Sequence, residues 1–308
     1  MPGIVAELVF DSRARLGEGI QLFPDQSLWW VDIPVGEVHR ISAGQSELVM
    51  KLDGEVSKAL PWEHGFLVFG REEIKGFTVE GNELFSFPAN SAGSGRRCSD
   101  ATNLPDGSIV FGTVSRELSA GEGSLFALTP DLRLWTIETG VDIPNGLGVS
   151  PGGKGVLWVD STSQTIFQFS IAESGSQPLV EKKVFGKVDS ELGVPDGLAV
   201  DADGGCWVAL WGGGKVIRLD DRGKLDVQIT IPTPNPTSCA FDSEDNLWIT
   251  SATEALSASD FDARGAGGIW IVPASAHGAK GLTPQIARLN TDSSLRFHGN
   301  AQQPFPET

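Results

Sequence analysis

Short apolar runs alternate with turns rich in glycine and acidic residues along the chain. In the clearest example, residues 193–209, Asp196 stands between a proline and a glycine and precedes a short apolar run. An acidic turn at Asp203-Gly204 follows, and a second apolar run carries Trp207. Runs of this length, bounded by turn residues, predict β-strands, and no sustained 3.6-residue period predicts long helices. The pattern therefore predicts an all-β protein.

The same unit recurs six times at similar intervals. Its second strand is marked by a large apolar residue, at Trp29, Leu67, Val110, Trp158, Trp207 and Trp248. These markers are 38, 43, 48, 49 and 41 residues apart. Repeats of this size with several short strands each are typical of propeller blades. We therefore expect a six-bladed β-propeller that forms one domain over residues 1–308.

The N-terminal segment provides a further strand that belongs to no copy of the repeat. Residues 4–10 alternate well enough for a strand. We expect this strand to complete the last blade, beside a C-terminal strand near residues 286–289. Closing the ring in this way leaves no open seam for unwanted strand pairing.

Composition narrows the classes of partner. The formal net charge of -17 argues against a nucleic-acid surface, which needs Lys and Arg to replace counterions. No apolar run is long enough for a membrane span, and the first residues lack the pattern of a signal peptide. Cys98, Cys206 and Cys239 lack metal-ligand spacing and are expected to be free buried thiols. We expect a cytoplasmic protein with no nucleic-acid or membrane partner.

One position in each repeat carries a polar residue in register. Counting back seven residues from the acidic turn residue of the clearer copies gives Glu18, Ser99, Asp196 and Thr237. The equivalent place is Asn145 in the fourth copy and lies near Ser57 in the second. Equivalent positions of propeller blades lie on a circle around the central channel. We therefore expect these side chains to converge at one mouth of the channel.

Three of these residues suit a metal ion. Glu18, Asn145 and Asp196 supply oxygen ligands, which hard divalent cations such as calcium, magnesium and manganese prefer. Three protein ligands leave coordination positions for water and substrate, as in a catalytic metal site. Alternatively, Asp-Gly and Asn-Gly pairs are ordinary turn formers that satisfy local amides. The shared register across three repeats favours the metal site.

Several motifs resemble the family of gluconolactonases, regucalcin (senescence marker protein) and luciferin-regenerating enzyme, which are six-bladed propellers. The likeness extends over essentially the whole chain. It rests on Leu16-Gly17-Glu18-Gly19, Leu28-Trp29-Trp30-Val31-Asp32, Asn145-Gly146, Ser150-Pro151, Leu157-Trp158-Val159-Asp160-Ser161, Pro195-Asp196-Gly197, Pro236-Thr237-Ser238 and Gly267-Gly268. Together these motifs are specific, whereas each alone is weak.

The resemblance implies a metal-dependent hydrolase of carbohydrate metabolism that opens a sugar (aldono) lactone, such as a gluconolactone, to the sugar acid. It implies that Glu18, Asn145 and Asp196 bind one divalent ion, which is calcium, zinc, manganese or magnesium. Asp196 is the candidate catalytic residue, since it could accept a proton from the attacking water. The ion would polarise the lactone carbonyl and lower the pKa of a bound water.

The resemblance also implies that Arg97, Ser99 and Glu117 contact the lactone. Arg97 would orient substrate oxygens through its planar donor fork; the alternative is a surface arginine beside Arg96. Glu117 follows a strand on a rim loop, where it is either a substrate contact or a solvated side chain. The segment 90–95, rich in Ser and Gly, is either a lid or a linker.

The chain departs from the family pattern near these contacts. The family usually has Asn where Ser99 stands and Gly where Ala101 stands, and its Phe-Gly-Gly is here Phe241-Asp242-Ser243. The shorter hydroxyl of Ser99 removes an amide that would hold a ring hydroxyl. We therefore expect the reaction type to be retained and the substrate preference to differ.

Three other functions are compatible with a propeller, because a fold does not dictate its function. A non-catalytic calcium-binding propeller would bind metal without turning over any lactone. A hydrolase of organophosphates or aryl esters would need a more apolar pocket. A protein-interaction platform would show an exposed apolar patch. The four histidines are scattered, so a Ser-His-Asp site is not expected.

Overall fold

The computed structural model describes residues 3–89, 95–172 and 177–291. These residues form six small sheets, five with four strands and one with five, arranged as a six-bladed β-propeller. The predicted fold class is confirmed. Residues 90–94, most of the segment named above as a lid or linker, lie outside the described residues.

The strands follow one another in chain order. The N-terminal segment forms β1 (Ile4–Val5) and β2 (Glu7–Phe10). The first blade contains β3 (Gly17–Leu22), β4 (Leu28–Asp32), β5 (Glu37–Ser42) and β6 (Gln45–Lys51). The second contains β7 (Val56–Trp62), β8 (Gly65–Gly70), β9 (Glu73–Thr78) and β10 (Glu83–Pro88). The third contains β11 (Arg96–Asn103), β12 (Ile109–Ser115), β13 (Gly123–Leu128) and β14 (Leu134–Val141).

The remaining blades repeat this order. The fourth contains β15 (Pro144–Val149), β16 (Gly155–Asp160), β17 (Thr165–Ile171) and β18 (Leu179–Lys187). The fifth contains β19 (Val194–Val200), β20 (Cys206–Trp211), β21 (Lys215–Leu219) and β22 (Leu225–Thr230). The sixth contains β23 (Pro236–Phe241), β24 (Leu247–Ser251) and β25 (Ile269–Val272). Short helical turns are Ile33–Val35, Pro151–Gly153, Ser190–Leu192, α1 (Ala258–Asp262) and α2 (Ala274–His277).

The N-terminal segment joins two neighbouring blades. Strand β2 pairs antiparallel with β25 and becomes the outer strand of the sixth blade, with Leu8 opposite Trp270. Strand β1 pairs in parallel with β22 and becomes a fifth strand of the fifth blade. The sixth blade thereby combines strands from opposite ends of the described chain.

The prediction that the N-terminal strand lies beside a C-terminal strand near residues 286–289 is wrong. Ala287, within the segment 286–289, forms an isolated bridge with Trp62 and donates its N–H to the carbonyl of Pro61 at 3.0 Å. The next N–H, of Arg288, donates to the carbonyl of Gly107 at 2.9 Å. The segment therefore lies against the second and third blades. The edge of the sixth blade is already occupied by β2, so a further strand is not needed there.

In the fifth and sixth blades, an aspartate at the start of the turn holds the hairpin together. The buried carboxylate of Asp201 accepts backbone N–H groups from Asp203 and Gly205 at 3.0 and 2.8 Å. It also accepts the indole N–H of Trp207 at 2.8 Å. Asp242 holds the indole of Trp248 in the same way, at 2.7 Å. Each acidic residue therefore fixes both the turn and the core tryptophan of its blade.

The core lies between the blades. Five of the six strand markers are buried, and Trp158 and Trp207 are fully enclosed. The three cysteines are free and buried, as predicted. None of the helices in the described part of the chain is long and apolar enough to cross a membrane.

Candidate functional site

The first strand of every blade is irregular at the predicted ring position. Strands β3, β7, β11, β15, β19 and β23 each carry a register shift against their partner, and each shift falls at or beside that position. A bulge of this kind turns a side chain away from the regular pleat, and bulges are frequent next to active sites. Each of the six innermost strands thus contains a bulge that changes the direction of a side chain at one end of the channel.

Three of the six ring residues meet. The side-chain Nδ2 of Asn145 donates a hydrogen bond to Oδ1 of Asp196. The carboxyl groups of Asp196 and Glu18 are also close enough to share a hydrogen bond. These residues lie on the fourth, fifth and first blades, so the ring brings together positions far apart in sequence. Asp196 is buried, and Glu18 and Asn145 are half-buried.

The other ring positions use their hydroxyl groups differently. Ser57 Oγ donates to the carbonyl of Phe69 at 3.2 Å. Thr237 Oγ1 donates to the carbonyl of Gly17 and lies 2.9 Å from Thr250 Oγ1. Ser99 is buried, and its Oγ has no hydrogen-bond partner among the described residues. Ser57 and Thr237 therefore stabilise strand packing and leave the acidic cluster to Glu18, Asn145 and Asp196.

Burial and neighbouring charges raise the pKa of both carboxyl groups of the cluster. Burial raises the pKa of Glu18 to about 7, and the Asp100 charge adds to the rise. The backbone N–H of Gly19, Lys58 and Arg97 act in the opposite direction. Burial also raises the pKa of Asp196 well above its ordinary value, with the Glu18 charge as the next cause. A cation bound between the two carboxylates would act in the opposite direction on both pKa values.

A buried ion pair adjoins this cluster and was missed by the sequence analysis. Lys58 Nζ lies 2.9 Å from Asp100 Oδ1, and the two side chains are only 5% and 8% exposed. The ring positions predicted in the second and third repeats, near Ser57 and at Ser99, each stand one residue before a member of this pair. A lysine inside the otherwise mostly apolar strand β7 was the available signal.

Of the predicted substrate contacts, Arg97 lies near the cluster and Glu117 lies in an exposed turn. Arg97 is half-buried and donates from Nη1 to the carbonyl of Cys98 at 2.9 Å. Its charge acts on both Glu18 and Asp196, so it is not a solvated surface arginine. Glu117 lies in the exposed turn after β12 and has no hydrogen bond or ion pair with the described residues of the cluster. The structure brings Arg97 to the cluster and leaves Glu117 at the rim.

The cluster is chemically suited to a hard cation. Within residues 3–89, 95–172 and 177–291, no three Asp, Glu, His or Cys side chains are arranged to hold a metal ion. A metal would therefore need the Asn145 amide in addition to the carboxylates of Glu18 and Asp196. A half-turn of the Asn145 side-chain amide would exchange its oxygen and nitrogen positions, so that the oxygen would face the ion. Two carboxylates and an amide oxygen form a donor set for calcium or magnesium.

A cavity of about 370 Å³ lies at the opposite end of the same strands. Its lining includes Leu60, Asn103, Leu198, Phe241 and Gln285, and none of the three cluster residues. Its walls are uncharged, whereas the ionisable groups converge at the other mouth. We therefore take the cluster of Glu18, Asn145 and Asp196 as the candidate site.

The fold and the cluster together define a six-bladed propeller with a group of acidic and polar side chains at one mouth of its channel. Residues 16–253 match the family described as the SMP-30/Gluconolactonase/LRE-like region. The chain belongs to this family, as the resemblance of its motifs predicted.

Individual relatives cover most of the chain. The pentonolactonase XacC of Haloferax volcanii is 30% identical over 249 residues, which cover 79% of this chain and 84% of the relative. The regucalcin of Sus scrofa is 30% identical over 302 residues, which cover 92% and 98%. A solved calcium-binding regucalcin from Agrobacterium tumefaciens has a TM-score of 0.84, with 24% identity and coverage of 94% and 100%. This last likeness concerns the fold alone.

Proposed function

We propose that the protein is a divalent-metal-dependent lactonase that opens a sugar lactone to the corresponding sugar acid. The observation that carries the proposal is the junction of Glu18, Asn145 and Asp196 from three blades at one mouth of the channel. Membership of a family that includes gluconolactonases, and 30% identity to a pentonolactonase, support lactone hydrolysis as the reaction. The three free thiols fit a reducing compartment such as the cytoplasm.

Glu18, Asn145 and Asp196 would hold the ion. When bound, a divalent ion supplies Lewis-acid polarisation of the lactone carbonyl and a more acidic water. The donor set contains only oxygen, which favours calcium, magnesium or manganese over zinc. We therefore expect a hard ion to support activity best.

Asp196 would accept a proton from the attacking water. Without an ion, burial and the neighbouring Glu18 raise the pKa of its carboxyl. A bound cation lowers that pKa, so Asp196 would act as a base only where the ion and the substrate share the charge. Water adds to the carbonyl carbon, the ring C–O bond breaks, and the proton is transferred to the departing ring oxygen. The product is an open-chain hydroxy acid.

Arg97 would orient the lactone. The Nε of Arg97 lies 3.9 Å from Oε1 of Glu55. This distance is too long for a bidentate ion pair, so the guanidinium is not fixed by Glu55. The planar fork can therefore present N–H donors to substrate oxygens. Ser99 and Glu117 stay predicted substrate contacts.

The proposal is tested by a pH-indicator assay with a panel of pentono- and hexonolactones, corrected for spontaneous hydrolysis. We expect turnover that is lost with EDTA and restored by added calcium, magnesium or manganese. Asp196→Asn should abolish this turnover, whereas Asp203→Asn, in an exposed turn of the same blade, should not. Retained activity in Asp196→Asn would remove that residue from the site. Calcium binding without turnover of any lactone would instead support the non-catalytic calcium-binding function.

A further inference from the structure

A buried ion pair connects four blades beside the candidate metal site. Lys58 is on β7 of the second blade, and Asp100 is on β11 of the third. The ammonium and carboxylate groups are 2.9 Å apart and almost fully buried. Burying two charges is costly, and a well-packed apolar pair often stabilises a core equally well. The pair therefore calls for an explanation other than stability.

The two side chains reach the neighbouring blades. A Cβ at Gly19, next to Glu18, would lie 3.0 Å from Cδ of Lys58, so the lysine stem passes directly beside the first blade. The Oδ2 of Asp100 accepts the backbone N–H of Leu147, two residues after Asn145, at 3.1 Å. The pair is thus in contact with the backbone next to two of the proposed metal ligands.

The carboxylates of Glu18, Asp100 and Asp196 repel one another electrostatically. The charge of Asp100 opposes ionisation of both Glu18 and Asp196, while the charge of Lys58 favours ionisation of Glu18. Oδ1 of Asp100 faces Lys58 and also accepts the N–H of Ala101 at 2.7 Å. The third carboxylate is therefore held by its own cation and by backbone donors.

We propose that Lys58 is a positioning residue that neutralises Asp100 and so limits the negative charge available to a cation at Glu18, Asn145 and Asp196. This inference rests on the proposed function, because it concerns the same metal site. A site with two carboxylates binds a divalent ion less tightly than a site with three, and it leaves more of the coordination shell to water and substrate. Lys58 would thus set the affinity of the site.

The test is calorimetric titration with calcium chloride of the wild type, Lys58→Met, Asp100→Asn and the double variant. Removing a positive charge near the ion should tighten calcium binding by about tenfold or more, and removing the negative charge should weaken it by a similar factor. The double variant should bind nearly as the wild type does. A purely structural role for the pair would weaken binding in both single variants.

Two controls keep this test decisive. Lys58→Arg retains the charge and should keep the affinity within about threefold of the wild type. Lys75→Met removes a half-buried lysine from β9 of the same blade, paired with Glu83 away from the cluster, and should leave the affinity unchanged. Folding of each variant is checked by circular dichroism and thermal melting.

Each outcome has a distinct meaning. If Lys58→Met does not fold, the calcium affinity of Asp100→Asn is compared with that of the double variant. These two proteins differ only at residue 58, so the comparison isolates the effect of Lys58. Recovery of affinity in the double variant supports the proposal, and no recovery overturns it. Calcium binding by the wild type with unchanged or weaker affinity in Lys58→Met overturns only this inference. Failure of every protein to bind calcium, magnesium or manganese overturns both this inference and the proposed metal site.

Discussion

The side-chain amide of Asn145 donates a hydrogen bond to the carboxylate of Asp196, across 51 residues of sequence and between two blades. The contact depends on how closely β15 approaches β19. Gly146, directly after Asn145, has a φ of +28°, and a Cβ there would lie 2.5 Å from the carbonyl oxygen of Asp196. The Asn-Gly pair is therefore more than a turn signal, because the glycine allows the two strands to meet.

Gly146→Ala should separate these strands and disrupt the cluster. We expect a loss of at least about 2 kcal/mol in the free energy of unfolding, from backbone strain and the clash with Asp196. Calcium affinity and lactone turnover should fall with it. Urea unfolding and calorimetry measure both effects.

Gly152→Ala is the matched control for this change. Its φ of +74° is equally unfavourable for alanine, but a Cβ there meets nothing within 4 Å. We expect a smaller loss of stability, about 1 kcal/mol, and unchanged calcium binding. Equal effects of the two substitutions would show that close approach at Gly146 is not required.

Stability without metal should depend on pH through Glu18. Burial raises the pKa of this carboxyl from 4.5 to about 7 in the folded protein. Between these values the folded state binds a proton that the unfolded chain has released, so the contribution of Glu18 to the free energy of unfolding falls as pH rises. The raised pKa of Asp196 acts in the same direction.

The effect is measured by urea unfolding in EDTA between about pH 5 and about pH 8, for the wild type and Glu18→Gln. The wild type should lose more stability with rising pH than the glutamine variant. Because a bound cation competes with the proton, calcium affinity of the wild type should increase as pH rises towards about 7. Parallel pH profiles of stability for the two proteins would contradict this assignment.

Arg97→Lys should separate substrate orientation from metal binding. Lysine keeps the positive charge but lacks the planar fork, so we expect kcat/KM for the preferred lactone to fall about tenfold or more. Calcium affinity should change by less than about threefold, because the charge is retained.

Arg116→Lys is the control for this prediction. Arg116 pairs with the same Glu55, at 2.7 Å, but is largely exposed. Its substitution should leave both turnover and calcium affinity near the wild-type values. Equal losses in the two variants would indicate that the Glu55 ion pairs, and not substrate contact, account for the effect of Arg97.

Much of the fold and part of the site could be predicted because their causes are local. The acidic turn residues Asp25 and Asp106 stabilise their own turns by accepting the N–H groups of Ser27 and Ser108, so acidic residues recur at the turns of the repeat. That period placed Glu18, Asn145 and Asp196 in register, and rotational symmetry converts register into a common position around the channel. No long-range contact had to be known for this step.

The remaining features depend on contacts between blades. The pairing of Lys58 with Asp100 requires two bulged strands to turn their side chains towards each other, and no repeat or motif encodes that meeting. The placement of segment 286–289 likewise depends on tertiary contacts, since β2 occupies the edge of the sixth blade and Ala287 bridges Trp62 instead. The sequence alone thus determined the six blades and the residues that ring the channel. Only the tertiary structure decided which of those residues meet and that the Lys58–Asp100 ion pair lies beside them. The physical reason is that burial and bulge geometry depend on contacts between segments far apart along the chain.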